Sequence, residues 1–149
     1  MRNYYLVLKV IKDFLESDPL VTTIVNIDTE DFDDEKQNIY PIVDVQCEDA
    51  PLSLSSIDFT FQITALDIRD ISKKTSTSKW VGNDNKHDNL NTTLAIVNRL
   101  YKSIKKMGEE FTIVNDPVAV PIVYKNKNLL DGFQISLVIR TPNTETEIC

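Results

Sequence analysis

The clearest structural signal in the chain is the stretch "SSIDFTFQITALDIRDISKKTSTSKW", residues 55–80. Its first half alternates apolar and polar residues with a period of two, which predicts a strand buried on one face. The apolar positions are Ile57, Phe59, Phe61, Ile63 and Ala65. After Ala65 this phase breaks, and we expect a β-bulge there. The second half is a basic, hydroxyl-rich loop that ends at the only tryptophan of the chain.

Two amphipathic helices flank this strand. The first repeats apolar residues at spacings of three and four, and it ends at "SDP" because a residue before proline avoids helical backbone. The second begins with Asp88 or Asn89 as its cap and ends near Gly108, which can adopt left-handed backbone. The apolar stripes are Tyr4, Val7, Leu8, Ile11, Phe14 and Leu15 in the first helix, and Leu90, Leu94, Val97, Tyr101 and Ile104 in the second.

Further strands are predicted for residues 20–27, 39–48, 111–114, 118–124 and 132–141. Pro41 indicates a strand start or an edge, and Pro117 and Pro121 indicate that residues 118–124 form an edge strand. The motifs "NKN" and Asp131-Gly132 predict a hairpin turn between the last two strands. The order α-β-β-β-α-β-β-β predicts a single α+β domain over residues 1–141, an antiparallel β-sheet with two α-helices on one face. Residues 142–149 are expected to form a polar tail.

Composition narrows the function classes. The 149 residues fit one domain, and 16 Lys and Arg against 23 Asp and Glu give a net charge of −7. This charge argues against general nucleic-acid binding, which needs clustered cations. Charged residues interrupt the N-terminal apolar stretch, so neither a signal peptide nor a membrane span is predicted. Cys47 and Cys149 are expected to be free thiols in a reducing compartment, with Cys47 in the core.

The sequence predicts no catalytic residue, cofactor or metal site, and hence no enzyme. Three glycines cannot build a glycine-rich phosphate loop. The single histidine, His87, is interpreted as a solvated turn residue in preference to a general base. The acidic run at residues 28–36 lacks the alternating ligands and central glycine of a calcium loop, which favours a solvated loop.

Two charged segments are candidate subunit contacts. The basic loop contributes a large aromatic anchor together with positive charge, and buried tryptophans dominate many interfaces. Its alternative role is a loop whose tryptophan folds back onto the core of its own chain. Opposite charges in the two segments predict head-to-tail contact between identical copies. The candidates are Lys73, Lys74, Lys79 and Trp80 in the basic loop, and Asp28, Glu30, Asp31, Asp33, Asp34 and Glu35 in the acidic loop.

The chain carries, in order, "ESDPLVTTIV", "YPIVDVQ", "FTFQITALDIRD", "DNLNTTLAIVNRLYKSI" and "GFQISLVIRT". In this order the segments resemble the tail terminator and tail-completion proteins of tailed bacteriophages, over residues 4–141. The resemblance implies a virion structural protein that is assembled in the host cytoplasm and forms a hexameric or dodecameric ring at the head–tail junction. It also implies neighbouring neck, adaptor and tail proteins, no membrane, and an acidic channel through which DNA passes without specific binding. Terminator, neck ring and adaptor all remain open.

An alternative function belongs to another class. A small acidic phage-encoded protein can inhibit a host enzyme by mimicking DNA. Such a mimic needs carboxylates along one face at phosphate-like spacing, whereas here they concentrate at residues 28–35. The two functions differ in assembly, because a ring protein forms closed oligomers and an inhibitor binds a host protein one to one.

Overall fold

In the described part of the chain, the alternating and helical patterns of the sequence form two helices and six strands in one mixed sheet. The computed structural model describes residues 3–25, 40–69, 85–108, 111–125 and 130–143. In chain order the elements are α1 (Asn3–Ser17), β1 (Thr23–Val25), β2 (Ile42–Asp49), β3 (Ser56–Ile68), α2 (Lys86–Lys105), β4 (Thr112–Ile113), β5 (Val120–Lys125) and β6 (Leu130–Pro142). The predicted α+β class is confirmed.

The two longest strands, β3 and β6, form the centre of the sheet. They pair antiparallel along their whole length, from Ser56 opposite Pro142 to Ile68 opposite Leu130. β2 pairs with the other edge of β3, and β4 and β5 pair with separate stretches of β6. In the described residues β5 pairs with β6 alone, which agrees with the edge position that Pro121 predicts.

The prediction of a wholly antiparallel sheet is wrong, because β1 runs parallel to β2. The backbone N–H groups of Thr22 and Thr23 both donate to the carbonyl of Pro41, which aligns the starts of the two strands. The connection at residues 26–41 is long enough for the crossover that parallel pairing requires. Pro41 directly precedes β2, as predicted.

Both helices pack on one face of the sheet and enclose the main core. The stripes of α1 and α2 meet the odd-numbered residues of β3, and Phe59, Phe61, Ile63 and Ala65 are buried there. Tyr4 stacks on Phe61 with ring centroids 6.1 Å apart. The strand period therefore identified the core-facing residues of β3, whereas the helical stripe of α2 was only partly right, because Val97 and Ile104 are buried but Leu94 is 39% exposed. The buried helical residues are Val7, Ile11 and Leu15 in α1, and Ile96, Val97, Leu100 and Ile104 in α2.

The β-bulge expected after Ala65 is absent from β3, which stays in register with β6 up to Ile68. A bulge lies instead in β2, between Cys47 and Asp49. The alternation breaks because, at this end of the sheet, apolar residues lie on the outer face and polar residues on the face that meets the helices. The outer face holds a second small core, whereas polar side chains lie beneath the start of α2. The second core consists of Tyr40, Ile42, Leu66 and Leu130.

Three predicted boundaries need correction. The cap of α2 is Asn85, in left-handed backbone with φ 56°, whereas the predicted caps Asp88 and Asn89 both lie in the first turn of the helix, where Asn89 is buried. Asp131 and Gly132 lie inside β6, because the chain reverses between Lys125 and Leu130. β6 also extends through Pro142, so the predicted polar tail begins too early. Gly108 has the predicted left-handed backbone, with φ 75°.

Candidate functional site

The site residues predicted from the sequence lie outside the described residues. These are Lys73, Lys74, Lys79 and Trp80 of the basic loop, and Asp28, Glu30, Asp31, Asp33, Asp34 and Glu35 of the acidic loop. The structure does describe the two residues that border the 70–84 segment, Arg69 and Asn85. The geometry at these two points shows how the segment is attached to the fold.

A buried ion pair lies where the 70–84 segment leaves β3. The guanidinium of Arg69 donates from Nε to Oδ2 of Asp131 at 2.8 Å and from a terminal nitrogen to Oδ1 at 2.7 Å. The two side chains are 1% and 0% exposed. Paired N–H···O bonds between charged groups are short and fix orientation as well as distance. The pair therefore ties the end of β3 to the start of β6.

Two asparagines fix the other end of the same segment. Asn89 Nδ2 donates to the carbonyl of Ile68 at 3.0 Å, and Asn85 Nδ2 reaches the same oxygen at 3.5 Å. Thr93 Oγ1 donates to the carbonyl of Asn89 at 2.7 Å, which holds the first turn of α2. The 70–84 segment thus starts and ends at neighbouring points of a hydrogen-bonded base. We call Arg69, Asp131, Asn85 and Asn89 the loop base.

Asp67 adds a second carboxyl group beside the loop base. Burial raises its pKa above the ordinary value, and the negative charge of Asp131 acts in the same direction. The N–H of Ile68, which donates to Asp67 Oδ1 at 2.8 Å, opposes the shift. Asp67 and Asp131 are directly opposite each other in the β3–β6 register. Like charges in a partly desolvated site disfavour ionisation of the less well paired group.

A second feature lies at the opposite end of the sheet, in the turn between β2 and β3. Leu52 is 75% exposed and Leu54 is 100% exposed. The turn is nevertheless held in place, because Ser53 and Ser56 bond to each other through backbone and hydroxyl groups. Asn143 Nδ2 also donates to the carbonyl of Ser53 at 2.7 Å. We call residues 51–55 the leucine turn.

Sequence patterns do not identify the leucine turn. Its only signal is the composition of "PLSLSS", two leucines among serines in a connection between strands. A leucine in such a connection has no alternating or helical partner, so periodicity does not assign it to a core. Its exposure becomes visible only when the fold places the turn beyond the end of the helix-covered face.

The helices form two concave surfaces with their surroundings. One, of about 480 Å³, lies between the C-terminal end of α1 and the second half of α2, and we call it the helix groove. Its apolar lining is Phe14, Leu15, Ile96 and Leu100, and its charged lining is Asp18, Arg99, Lys102 and Lys106. The other, of about 410 Å³, lies between α2 and the segment that precedes β5. Its apolar lining is Leu94, Val97, Tyr101, Pro117, Ala119 and Ile135.

The outer face of the sheet carries an exposed ion pair. Arg140 donates to both carboxylate oxygens of Asp58, at 2.8 and 3.0 Å. These hydrogen bonds lower the pKa of Asp58 and raise that of Arg140. The pair joins β3 to β6, since the two residues are opposite each other in the register.

The structure describes both His87 and Cys47, two side chains that could take part in chemistry. His87 is exposed in the first turn of α2, not in the preceding turn. Cys47 is free but exposed, so its predicted core position is wrong. Among the described residues, β1 pairs only with the first three residues of β2, and no described strand pairs with the Cys47 end of β2 on that side. Partial burial raises the pKa of its thiol, and the charges of Asp49 and Glu48 add to this.

The described ranges contain no cluster of three or more His, Cys, Asp or Glu side chains suited to hold a metal ion. In the same part of the chain, neither helix combines the length and apolar character needed to cross a membrane. Compared with known proteins, the chain matches no protein-family model and no curated protein.

Proposed function

We propose that the protein is a phage virion structural protein that forms an oligomeric ring at the head–tail junction. As a tail terminator or neck ring it joins neck and tail and leaves a channel for DNA. The observation that carries the proposal is the leucine turn, because two neighbouring exposed leucines on an ordered turn suit contact with another protein. The resemblance to tail terminator and tail-completion proteins supplies the place of that contact.

The loop base supports a contact role for the basic loop. The two residues that border this segment are both held in place, Arg69 by a buried ion pair and Asn85 by its position at the start of α2. In the proposal, Lys73, Lys74, Lys79 and Trp80 engage the next copy in the ring. The acidic run that includes Asp33 and Asp34 receives the lysines, or lines the channel and repels DNA.

The pairing of carboxylates favours the ring over the inhibitor. A DNA mimic needs carboxylates that are free to meet cations of the host enzyme. In the described ranges four aspartates instead bind a lysine or arginine of their own chain. They are Asp13, Asp18, Asp58 and Asp131. Inhibition of a host enzyme by DNA mimicry is the alternative function that the experiments test.

Imaging of the purified protein tests the proposal. We expect negative-stain electron microscopy at high protein concentration to show closed rings with a central hole. Light scattering should then give the mass of a hexamer or a dodecamer. A monomer that binds one host protein in a one-to-one complex would contradict the ring and favour the inhibitor.

Charge reversal tests the contact between the two loops. Lys73→Glu with Lys74→Glu should disrupt assembly, and Asp33→Lys with Asp34→Lys in the same chain should restore it. Lys9→Glu with Lys12→Glu is the matched control, because it changes the net charge equally on the exposed side of α1. If the first double reversal assembles like the control, the loop contact is wrong.

A further inference from the structure

We propose that the leucine turn of one copy inserts into the helix groove of a second copy. The inference rests on the proposed ring and names the surfaces that join its subunits. The occupant is residues 51–55 of the neighbouring chain, with Leu52 and Leu54 as the inserted side chains. Four observations carry it: the exposure and order of the turn, the form of the groove, the charges beside both, and their positions on the molecule.

The turn is a preformed apolar projection. Leu54 is fully exposed, and the backbone around it is fixed by the Ser53–Ser56 bonds and by Asn143. Because the turn is already ordered, binding does not have to immobilise it, and rigid apolar anchors of this kind contribute strongly to association. Within the part of the chain that the structure describes, both leucines lack a packing partner sufficient to bury them.

The helix groove offers a complementary apolar cavity. Its volume of about 480 Å³ falls within the range of about 300–1,000 Å³ that is usual for binding clefts. Its apolar lining consists of Phe14, which is half-buried, and of Leu15, Ile96 and Leu100, which are themselves almost fully buried. These residues belong to the two helices that form the main core, so the walls of the groove are held by packing. Leucine side chains that enter this cleft would lose part of their contact with water.

The charges of the lining residues favour the helix groove over the groove beside β5 as the binding site for the leucine turn. Lys102 and Lys106 line the helix groove together with Arg99, whose guanidinium bonds Asp18 at 3.2 Å. The residues that lead into the leucine turn, Glu48 and Asp49, are exposed and acidic. Insertion of the turn brings these two carboxylates toward the lysines. The groove beside β5 contains Asp116 and no cation, so it would repel the same carboxylates.

The two surfaces lie near opposite ends of α1. Asn3, at the start of the helix, donates to the carbonyl of Pro142, and the next residue, Asn143, bonds the leucine turn. Ser17 and Pro19, at the other end, line the groove. A helix of 15 residues is about 22 Å long. Two different patches so far apart cannot satisfy each other within one chain, and they produce head-to-tail contacts that close into a ring when the rotation permits.

Two variants, each of which lacks one of the two surfaces, test the contact directly. Leu52→Ser with Leu54→Ser removes the projection and keeps the groove, whereas Lys102→Glu with Lys106→Glu disables the groove and keeps the turn. All four residues are exposed, so both variants should fold. By sedimentation velocity, we expect each variant alone to associate at least about tenfold more weakly than wild type. An equimolar mixture should form dimers of one copy of each, through the one intact turn and the one intact groove.

Two further variants sharpen the result. Val118→Ser is the matched control, because Val118 is apolar and 71% exposed but belongs to neither surface; it should associate like wild type. Glu48→Lys with Asp49→Lys should restore association to the groove variant by exchanging the charges. Recovery by this exchange is an effect that a mere loss of folding cannot produce.

The results distinguish a failure of this contact from a failure of the proposed ring. Closed rings formed by the leucine-turn variant would overturn the contact and leave the ring standing, with another occupant for the groove. A mixture that associates no better than its components would overturn the head-to-tail geometry. Wild-type protein that stays monomeric at its solubility limit would overturn both the contact and its function as a self-assembling ring.

Discussion

Two arginine–aspartate pairs join β3 to β6, one toward each end of the strands, and they have nearly the same geometry. Arg69 and Asp131 form two hydrogen bonds of 2.8 and 2.7 Å, and Arg140 and Asp58 form two of 2.8 and 3.0 Å. Their surroundings differ. The side chains of the first pair are 1% and 0% exposed, whereas those of the second are 50% and 22% exposed.

The difference teaches that bond length does not set the energetic role of an ion pair. In the buried pair, loss of one partner removes two short charged hydrogen bonds in a site that water does not reach, and breaking a buried pair typically costs about 3–5 kcal/mol. At the surface, water replaces the lost partner, and exposed pairs contribute only about 0–1 kcal/mol. The buried pair lies in the loop base, where fixed geometry matters for the proposed contact arm. The exposed pair lies on the open face of the sheet.

The largest effect is expected from Asp131→Asn. This change keeps the size of the side chain but removes the charge that faces Arg69, so we expect the free energy of unfolding to fall by about 3–5 kcal/mol. Urea denaturation followed by circular dichroism measures the loss. Because the pair is buried, added salt should leave the loss nearly unchanged.

A double replacement separates loss of the charge pair from loss of packing. Arg69→Met with Asp131→Leu removes both charges, and apolar replacement of a whole buried pair is often neutral or stabilising. We expect it to recover more than half of the stability lost by Asp131→Asn. If the double variant were less stable than Asp131→Asn, the ion pair itself would stabilise the fold. Its contribution would then exceed the cost of leaving one buried charge unbalanced.

The sequence could predict the elements but not the loop base. Alternation identified β3 and its core face because one side of residues 57–65 meets the helices throughout. Beyond Ala65 the break in alternation predicts a bulge, which is wrong, since a sequence pattern does not reveal that the outer face acquires its own small core. The partner of Arg69 lies 62 residues away in the chain. Asp131-Gly132 has the composition of a turn, and local signals therefore favoured the wrong role for both residues.

Gly132→Ala tests why the buried end of the strands contains a glycine. A Cβ atom at this position would collide with the backbone carbonyl of Ala65, so β6 would have to move away from β3. Overpacking of this kind costs about 1–3 kcal/mol. Thermal unfolding followed by circular dichroism measures the expected loss.

Gly108→Ala is the control for that change. Gly108 has left-handed backbone but open space around its Cα, so alanine there incurs only conformational strain. An effect of Gly132→Ala smaller than that of Gly108→Ala would contradict the close approach of β3 and β6.

Asp67→Asn should have the opposite sign. Because the folded pKa of Asp67 is raised above 3.8, the folded state binds its proton more tightly than the unfolded state does. Stability is therefore lost as pH rises from 3.8 through the raised pKa, and at neutral pH the charged form opposes folding. Asparagine removes that charge while its oxygen can still accept the Ile68 N–H. Urea denaturation across pH should show a variant more stable than wild type at neutral pH, with no advantage below pH 3.8.

The smallest effect is expected from Asp58→Asn at the exposed pair. The lowered pKa of Asp58 means that its contribution is present above pH 3.8 and disappears as pH falls through the lowered value. Water solvates Arg140 once the carboxylate is gone, so the loss should be far below that of Asp131→Asn and should shrink further with added salt. Parallel urea titrations of both variants at low and high salt make the comparison. If the two variants lost the same free energy of unfolding, burial would not make the two ion pairs differ in energy. The pairing of β3 with β6 would then depend equally on both.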